Sequence, residues 1–240
     1  MKRMDLSKKV AHYTIAPSAV ELVKKARIVL LVGIAGAGKD TLKKELLQSP
    51  DFRDIVSHTT RLPRKNNGLL ETNGVEYHFI SPDQANEMID AQAFVEVKLV
   101  HGETIYGTSV AEIEAGYKEN KISITDVDVQ GVDEYKQISQ DVTAIFLLPP
   151  NYEVWRERLA KRYESSEAFE AEWPKRRDSA IKELRRALSV PYYHFIINDD
   201  LARTVAVARD IASKPDTFHR KDDEARLAAR DILSQLEEQD

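Results

Sequence analysis

The chain has 240 residues, of which 42% are hydrophobic and 31% charged, with a formal net charge of −5 and no cysteine. A chain of this length folds as one large domain or two small ones. The lack of cysteine excludes disulfides, thiolate metal sites and a cysteine nucleophile. The acidic balance argues against a dedicated nucleic-acid or membrane-surface binder. No apolar run reaches the roughly 20 residues of a bilayer-spanning helix. Because the lack of cysteine fits a reducing cytosol, we expect a cytoplasmic protein.

Both ends of the chain have helical patterns of their own. The stretch Pro17-Ser18-Ala19-Val20-Glu21 has the form of a capping box, which predicts a short helix with Ser18 as N-cap and Glu21 at N3. At the other end, residues 222–238 place apolar side chains roughly on one helical face, namely Ala225, Ala228, Ile232, Leu233 and Leu236. This face predicts either a terminal helix packed on the body or a helix for a partner or second copy.

Strands and helices alternate along most of the chain. The run RIVLLV at 27–32 is typical of a buried parallel strand, and Leu42 and Leu46 give residues 41–47 a helical repeat. Further strands are predicted at 121–125, 143–148 and 193–197, with helices near 152–162 and 174–188. This alternation predicts a parallel sheet with helices on both faces.

A glycine-rich loop joins the first strand to the following helix. Its sequence, GIAGAGK at 33–39, matches the first seven positions of the phosphate-loop pattern G-x-x-x-x-G-K-[ST]. Backbone N–H groups and the helix N-terminus would hold phosphates there, and Lys39 would reach the β- and γ-phosphates. The eighth position is Asp40 instead of Ser or Thr, and Thr41 follows. Since a hydroxyl there normally ligates Mg²⁺, either Asp40 or Thr41 is expected to hold the ion.

A different pattern follows between residues 60 and 108. Short apolar pieces, several glycines and a helix near 82–89 predict a small mixed β insertion. It opens with SHTTRLPR, which places Arg61 and Arg64 three residues apart. Guanidinium groups bind phosphate through paired hydrogen bonds, and Tyr77 and Tyr106 could add hydroxyl donors.

Taken in order, these motifs resemble the guanylate kinases. The resemblance runs from about residue 27 to about residue 212 and includes GIAGAGKDT, SHTTRLPR, EYHF, FVEV, YGTS, DVDVQG and NDDL. It implies an α/β fold of the P-loop NTPase type, a three-layer parallel sheet flanked by helices, with a small mixed β GMP-binding subdomain and a helical lid. The implied domain spans residues 27–213, with the GMP-binding subdomain at 58–108 and the lid at 158–177. Residues 1–26 and 214–240 would be an N-terminal extension and a C-terminal helical extension.

The resemblance also implies an activity, ATP-dependent phosphorylation of GMP to GDP in purine nucleotide metabolism, with Mg²⁺ as cofactor. The partners would be the small molecules GMP and ATP, and a monomer and a homodimer both remain open. The implied GMP ligands are Arg61, Arg64, Tyr77 and Tyr106 for the phosphate, and Ser57, Glu96, Thr108 and Asp128 for the base. A carboxylate accepts the two adjacent N–H donors of guanine, whereas adenine presents an acceptor there.

The ATP side of the resemblance includes the phosphate loop and an arginine-rich lid. The implied ATP-binding residues are Gly33, Ala35, Gly36, Ala37, Gly38, Lys39, Asp40, Thr41, Arg177, Asn198 and Asp199. Of these, Asn198 and Asp199 would contact the adenine. Lys39, Arg64, Arg162 and Arg176 would be catalytic, with Arg177 as the rival of Arg176, and Asp126 would join Asp40 or Thr41 at the metal. The lid departs from the family pattern, because Arg162-Tyr163-Glu164 replaces the usual Arg-Gly-Thr.

Two other functions remain open from the sequence. Lys39-Asp40-Thr41 also resembles phosphate-loop kinases with another acceptor, a ribose bisphosphate precursor or a deoxynucleoside monophosphate. Glu96, Asp128 and the complete SHTTRLPR argue against those acceptors, which would not need them. The other alternative is a non-catalytic guanylate kinase-like module that binds phosphopeptides. The presence of Lys39 argues against it, because such modules typically lack an intact phosphate loop.

Overall fold

The computed structural model describes residues 3–66, 68–100, 102–214 and 222–238. Its helices are α1 (Arg3–Ala11), α2 (Pro17–Lys25), α3 (Lys39–Leu46), α4 (Pro82–Asp90), α5 (Val110–Lys118), α6 (Val129–Ile138), α7 (Tyr152–Ala160), α8 (Ser166–Leu188), α9 (Leu201–Ser213) and α10 (Asp222–Glu237). Its strands are β1 (Arg27–Val32), β2 (Phe52–Asp54), β3 (His58–Thr59), β4 (Lys65–Asn66), β5 (Leu69–Leu70), β6 (His78–Phe79), β7 (Phe94–Val100), β8 (Thr104–Ser109), β9 (Ile122–Asp126), β10 (Thr143–Leu148) and β11 (Tyr193–Ile197).

The chain divides into two compact units. The parallel-sheet unit comprises residues 28–52, 124–137 and 141–240, and the mixed-sheet unit comprises residues 1–27, 53–123 and 138–140. The phosphate loop belongs to the first unit. The SHTTRLPR motif and the strands that follow it belong to the second.

The parallel sheet has the strand order β11-β10-β1-β9-β2, which places β1 between β9 and β10. Parallel pairing joins β1 to β10 and β10 to β11, and every residue of β10 is buried. A strand buried on both faces needs apolar side chains throughout, which explains the sequence TAIFLL. The predicted α/β class with a parallel sheet and flanking helices is confirmed. The chain leaves β1 and β9 at the same edge of the sheet, where α/β proteins bind ligands.

The sheet of the mixed-sheet unit has the strand order β6-β3-β8-β7. Strand β3 pairs in parallel with β6 and antiparallel with β8, and β7 pairs antiparallel with β8. Its core centres on Ala85, Ile89, Phe94 and Ile105. The predicted mixed sheet is therefore confirmed, and a short β4–β5 hairpin follows the arginine motif.

Several local predictions were wrong. Helix α2 starts at Pro17 with Ala16 as its N-cap and without a side-chain cap, so Ser18 lies inside the helix. Proline at the first helical position is already suited to a helix start, which moves the start ahead of Ser18. Helix α8 begins at Ser166 and contains Pro174, whereas the sequence predicted a start at Pro174. The Ser165 side chain caps this earlier start by accepting a hydrogen bond from the Ala168 backbone.

The C-terminal helix packs on its own unit. Helix α10 contacts α8 and β11, and it buries Ala225, Ala229, Ile232 and Leu236. Of the predicted face, Ala228 and Leu233 are only half-buried, because Ala229 takes the central position. This arrangement agrees with the first of the two predictions for this helix, a terminal helix packed on the body.

Side chains of α10 also bond to the backbone of β11, the end strand of the sheet. Asp222 accepts a hydrogen bond from Phe195 N at 2.7 Å, and Arg226 donates one to Tyr193 O at 2.8 Å. These contacts satisfy strand groups that would otherwise be open for pairing. No helix among the described residues is long and apolar enough to span a bilayer.

Candidate active site

The phosphate loop leaves β1 through a very close approach to β10. Gly33 has φ +143°, and a Cβ there would lie 2.2 Å from the carbonyl oxygen of Leu147. Gly38 has φ +100°, and a Cβ there would lie 2.3 Å from the side-chain nitrogen of Asn198. Both positions therefore require glycine for their backbone conformation and for space.

Two side chains from other elements hold the loop carbonyls. Trp155 on α7 is fully buried and donates from its indole nitrogen to Ala35 O at 2.7 Å. Asn198, after β11, donates from its side-chain amide to Ala37 O at 2.9 Å. Because these bonds hold the carbonyls of Ala35 and Ala37, the conformation of the loop does not depend on a bound phosphate. Asn198, expected from the resemblance at the adenine, supports the loop in this structure.

Lys39 begins α3 directly after the loop. Its ammonium group donates to Gly33 O at 2.5 Å, so the side chain folds back over the loop. Burial lowers the pKa of Lys39, while the carboxylates of Glu183, Asp126 and Asp40 act in the opposite direction. The amine is thus a partly desolvated cation at a helix N-terminus, the environment in which it binds phosphate oxygens most strongly.

The three predicted metal ligands differ in exposure and in their ion-pair partners. Asp126, at the end of β9, forms an ion pair with Lys43 at 3.2 Å. Asp40 is largely exposed, with Arg162 at 4.0 Å, and Thr41 is exposed beside it. Within the described ranges, no cluster of three or more His, Asp or Glu side chains could hold a metal by itself. Sparse oxygen donors fit Mg²⁺, which usually takes one or two protein ligands together with phosphates and water.

The arginines of the predicted lid have separate partners. Arg176 donates from Nε to the Tyr163 hydroxyl at 2.9 Å, and Arg177 lies 3.8 Å from Asp178. Arg162 lies 4.0 Å from Asp40, and Arg158 donates to the Asn198 carbonyl at 3.0 Å. Asp199, the second predicted adenine contact, forms a close ion pair with Arg203, which lowers the pKa of its carboxyl group.

A second cationic site lies in the mixed-sheet unit around Arg61. Its guanidinium donates to both oxygens of Glu71, at 2.7 and 3.1 Å, and from Nε to the Tyr106 hydroxyl at 3.1 Å. The side chains of Arg61 and Glu71 are only 11% and 7% exposed. Hydrogen bonds from Arg61 and from the backbone of Arg64 lower the pKa of Glu71 to about 2. Glu71 therefore stays ionised and orients the arginine.

Aromatic rings complete this second site. The Arg61 guanidinium lies 5.2 Å from the centre of the Tyr77 ring and 5.7 Å from that of Phe79. The rings of Tyr77 and Tyr106 are 5.8 Å apart. The structure thus brings together three of the predicted phosphate ligands. The fourth, Arg64, extends its side chain into solvent while its backbone N–H binds Glu71 at 2.7 Å.

The predicted base-binding residues lie on both units. Glu96 on β7 is opposite Thr108 on β8, so both side chains project from the same face of the sheet. Ser57 precedes β3, and its carbonyl accepts a hydrogen bond from His78 N at 2.9 Å. Asp128 belongs to the parallel-sheet unit, where it accepts a hydrogen bond from Gly131 N at 2.7 Å.

Sequence reasoning missed Glu71, Trp155 and Glu183. Glu183 on α8 accepts a hydrogen bond from Ser179 at 2.8 Å, and burial raises the pKa of its carboxyl group. None of the three belongs to a motif with a fixed spacing. Glu71 and Trp155 bond to site residues that are distant in sequence, and Glu183 acts on Lys39 through its charge, so no local signal marks them.

Comparison with known proteins decides the family. A family model described as guanylate kinase matches residues 25–214. The chain belongs to the guanylate kinase family. It is 36% identical over 178 residues to a guanylate kinase of Syntrophotalea carbinolica, covering 74% of this chain and 80% of that protein. It is 36% identical over 187 residues to a Helicobacter pylori guanylate kinase, covering 77% and 85%.

A solved structure supports the fold separately. The crystal structure of guanylate kinase from Anaplasma phagocytophilum superposes with a TM-score of 0.57 and covers 81% of this chain and 89% of that one. The two sequences are 21% identical, so this likeness concerns the fold alone. The family match leaves α1 and α10 outside its limits.

Proposed function

We propose that this protein transfers the γ-phosphoryl group of ATP to GMP, giving ADP and GDP, within cytoplasmic purine nucleotide metabolism. One observation carries the proposal: a chain of the guanylate kinase family has both an intact phosphate loop with Lys39 and a preassembled Arg61–Glu71–Tyr106 site. A kinase acting on a nucleoside monophosphate needs two anion sites of this kind, one for the donor and one for the acceptor.

On the donor side, the loop amides and Lys39 would bind the β- and γ-phosphates. Asp126 and either Asp40 or Thr41 would hold Mg²⁺, which supplies positive charge to the phosphate oxygens when bound. Lys43 neutralises Asp126 in the structure and would have to share that carboxylate. The remaining cations, Arg162, Arg176 and Arg177, are the candidates for the charge that develops on the transferring group.

On the acceptor side, Arg61, Tyr77, Tyr106 and Arg64 would bind the GMP phosphate. Glu96, Thr108, Ser57 and Asp128 would read the guanine edge, and a wrong base would leave their polar groups without matching partners. Catalysis then consists of positioning and charge stabilisation, because an acceptor phosphate at neutral pH already carries nucleophilic oxygens.

The test is a nucleotide panel with Mg-ATP, in which ADP formation is scored for GMP, dGMP, AMP, UMP and ribose phosphates. We expect GMP to be the preferred acceptor by at least about 100-fold over AMP.

Two pairs of variants test the two substrate sites. Lys39→Ala should remove most turnover, whereas Lys44→Ala, at an exposed lysine on the same helix, should not. Glu96→Gln should raise the KM for GMP more than that for ATP, with Glu114→Gln on exposed α5 surface as the control.

Two outcomes would favour the alternatives. A preference for a ribose phosphate would indicate a kinase with another acceptor. Binding of neither ATP nor GMP by the folded protein would indicate a non-catalytic module.

A further inference from the structure

The N-terminal segment that precedes the family match is packed against the mixed sheet. Helix α1 contacts β7 and α4, and Leu6, Val10 and Tyr13 pack on the core around Phe94. Apolar contacts of this kind bury surface on both partners and fix the segment in one position. The segment is therefore part of the unit that contains Glu96.

A single side chain of this segment bonds to the backbone of β7. The Tyr13 hydroxyl donates to Phe94 O at 2.5 Å and accepts from Phe94 N at 3.0 Å. Strand β7 lies at the end of the described strand order β6-β3-β8-β7. Tyr13 thus occupies the place of a neighbouring strand and satisfies both backbone groups of one residue. Burial raises the pKa of the Tyr13 phenol further above neutrality.

Flanking contacts hold Tyr13 in register on this strand. On one side, Lys9 forms an ion pair with Asp90 at 2.6 Å and a hydrogen bond to Asn86 at 2.9 Å. On the other, the Gln92 side chain donates to Thr14 O at 2.9 Å. The segment is fixed before and after Tyr13, which limits how far its hydroxyl can move along β7.

Phe94 connects this contact to the predicted base-binding residues. Its ring lies edge-on to His58, 6.0 Å between centres, and a Cβ at Gly107 would come within 2.9 Å of it. His58 follows Ser57, and Gly107 stands between Tyr106 and Thr108. The pairing of β7 with β8 shifts between Phe94 and Glu96, so an irregularity immediately precedes Glu96.

An irregular pairing needs outside support to keep one geometry. A bulge re-aims the side chains that follow it and leaves the ladder locally weaker. Glu96 follows the shift, and the Tyr13 bonds to Phe94 stand immediately before it. The direction of the Glu96 carboxylate therefore depends on how firmly Phe94 is held.

We propose that Tyr13 is a positioning residue for guanine recognition, which holds Phe94 so that Glu96 meets the N–H edge of the base. This inference rests on the proposed function, because it assigns Glu96 to the base. It gives the N-terminal extension a role in acceptor affinity and none in ATP binding.

The test compares Tyr13→Phe with Tyr117→Phe, a control at an exposed tyrosine of the same unit. Tyr13→Phe keeps the ring and removes only the hydroxyl. We expect it to raise the Kd and KM for GMP roughly 3- to 10-fold while the KM for ATP and kcat at saturating GMP stay within twofold. Hydrogen exchange should show loss of protection at the Phe94 amide in this variant. Tyr117→Phe should match the wild type in every measurement.

Unchanged GMP affinity in Tyr13→Phe would overturn the inference, as would equal weakening of GMP and ATP or an unchanged exchange rate at Phe94. These results differ from a failure of the proposed function, in which the wild type itself would not bind or phosphorylate GMP.

Discussion

Arg61 and Glu71 form a largely shielded two-point ion pair in which the carboxylate fixes the plane of the guanidinium. The Nε donor is directed to Tyr106, and one terminal nitrogen also donates to the Leu62 carbonyl at 2.8 Å. An anion site usually contains free positive charge. In the proposed GMP site, the arginine is instead held by a carboxylate in the absence of a bound phosphate. Orientation is thus set at folding, which lowers the entropic cost of binding a phosphate.

The first prediction concerns Arg61→Lys. A lysine keeps the charge but cannot bond to both Glu71 oxygens and to Tyr106 at once. We expect the KM for GMP to rise about 10- to 100-fold, equivalent to roughly 1.5–3 kcal/mol, with the KM for ATP unchanged. Arg53→Lys, at a surface ion pair with Glu119, is the matched control. A normal KM for GMP in Arg61→Lys would refute the orienting role of Glu71.

The second prediction concerns the hydrogen bond from Trp155 to Ala35. Trp155→Phe keeps an aromatic ring in the buried cluster but leaves the Ala35 carbonyl without this donor. We expect the KM for ATP to rise about 3- to 10-fold, or roughly 1 kcal/mol, with GMP affinity unchanged. Trp173→Phe, whose ring lies 5.5 Å from that of Trp155, controls for loss of aromatic packing. An equal rise of the KM for ATP in the two variants would mean that lost aromatic packing, and not the lost hydrogen bond, is the cause.

The third prediction concerns the hydroxyl of Tyr163, which accepts the Nε donor of Arg176. The ring of Tyr163 also packs on that of Phe169, 5.6 Å between centres, and this contact helps to fix its position. If Tyr163 presents Arg176 to the phosphates, Tyr163→Phe should lower kcat roughly 2- to 5-fold without changing either KM. In an Arg176→Ala background, Tyr163→Phe should have no further effect on kcat. Additive losses in the double variant would contradict this coupling.

The sequence could predict the elements whose signal is local. In the run RIVLLV, the five residues after Arg27 are apolar and β-branched or leucine, which is typical of a buried parallel strand. The phosphate loop was recognisable because its glycines must stand at fixed intervals. The start of α2 was mispredicted because two valid start signals, Pro17 and Ser18, stand side by side. A local pattern cannot show which of the two signals starts the helix.

The partners of the site residues could not be predicted in this way. Glu71 reaches Arg61 only because the β4–β5 hairpin folds back between them. Tyr13 reaches Phe94 across 81 residues of sequence, and Trp155 reaches Ala35 across 120. These contacts depend on the finished fold. The sequence could therefore suggest which residues bind the substrates, but not which residues hold them in place.

The last prediction concerns pH and the half-buried imidazole of His58. Its Nδ1 has no hydrogen-bond partner among the described residues, and its ring lies 4.6 Å from that of His78, which bonds to Glu112 at 3.0 Å. Burial and the neighbouring His78 lower the pKa of His58 to about 4, from an ordinary value of 6.5. The folded state therefore keeps His58 neutral where the unfolded chain takes up a proton. This contribution to stability is complete above pH 6.5 and is lost progressively as the pH falls toward 4.

We expect acidification from pH 7.5 to 5.5 to cost the wild type about 1 kcal/mol more unfolding free energy than it costs His58→Phe. Urea unfolding followed by circular dichroism at the two pH values measures this difference. His12→Phe, at an exposed histidine of the same unit, should behave as the wild type. Parallel pH profiles for wild type and His58→Phe would mean that His58 is protonated in the folded protein, and that Glu112 compensates for its charge.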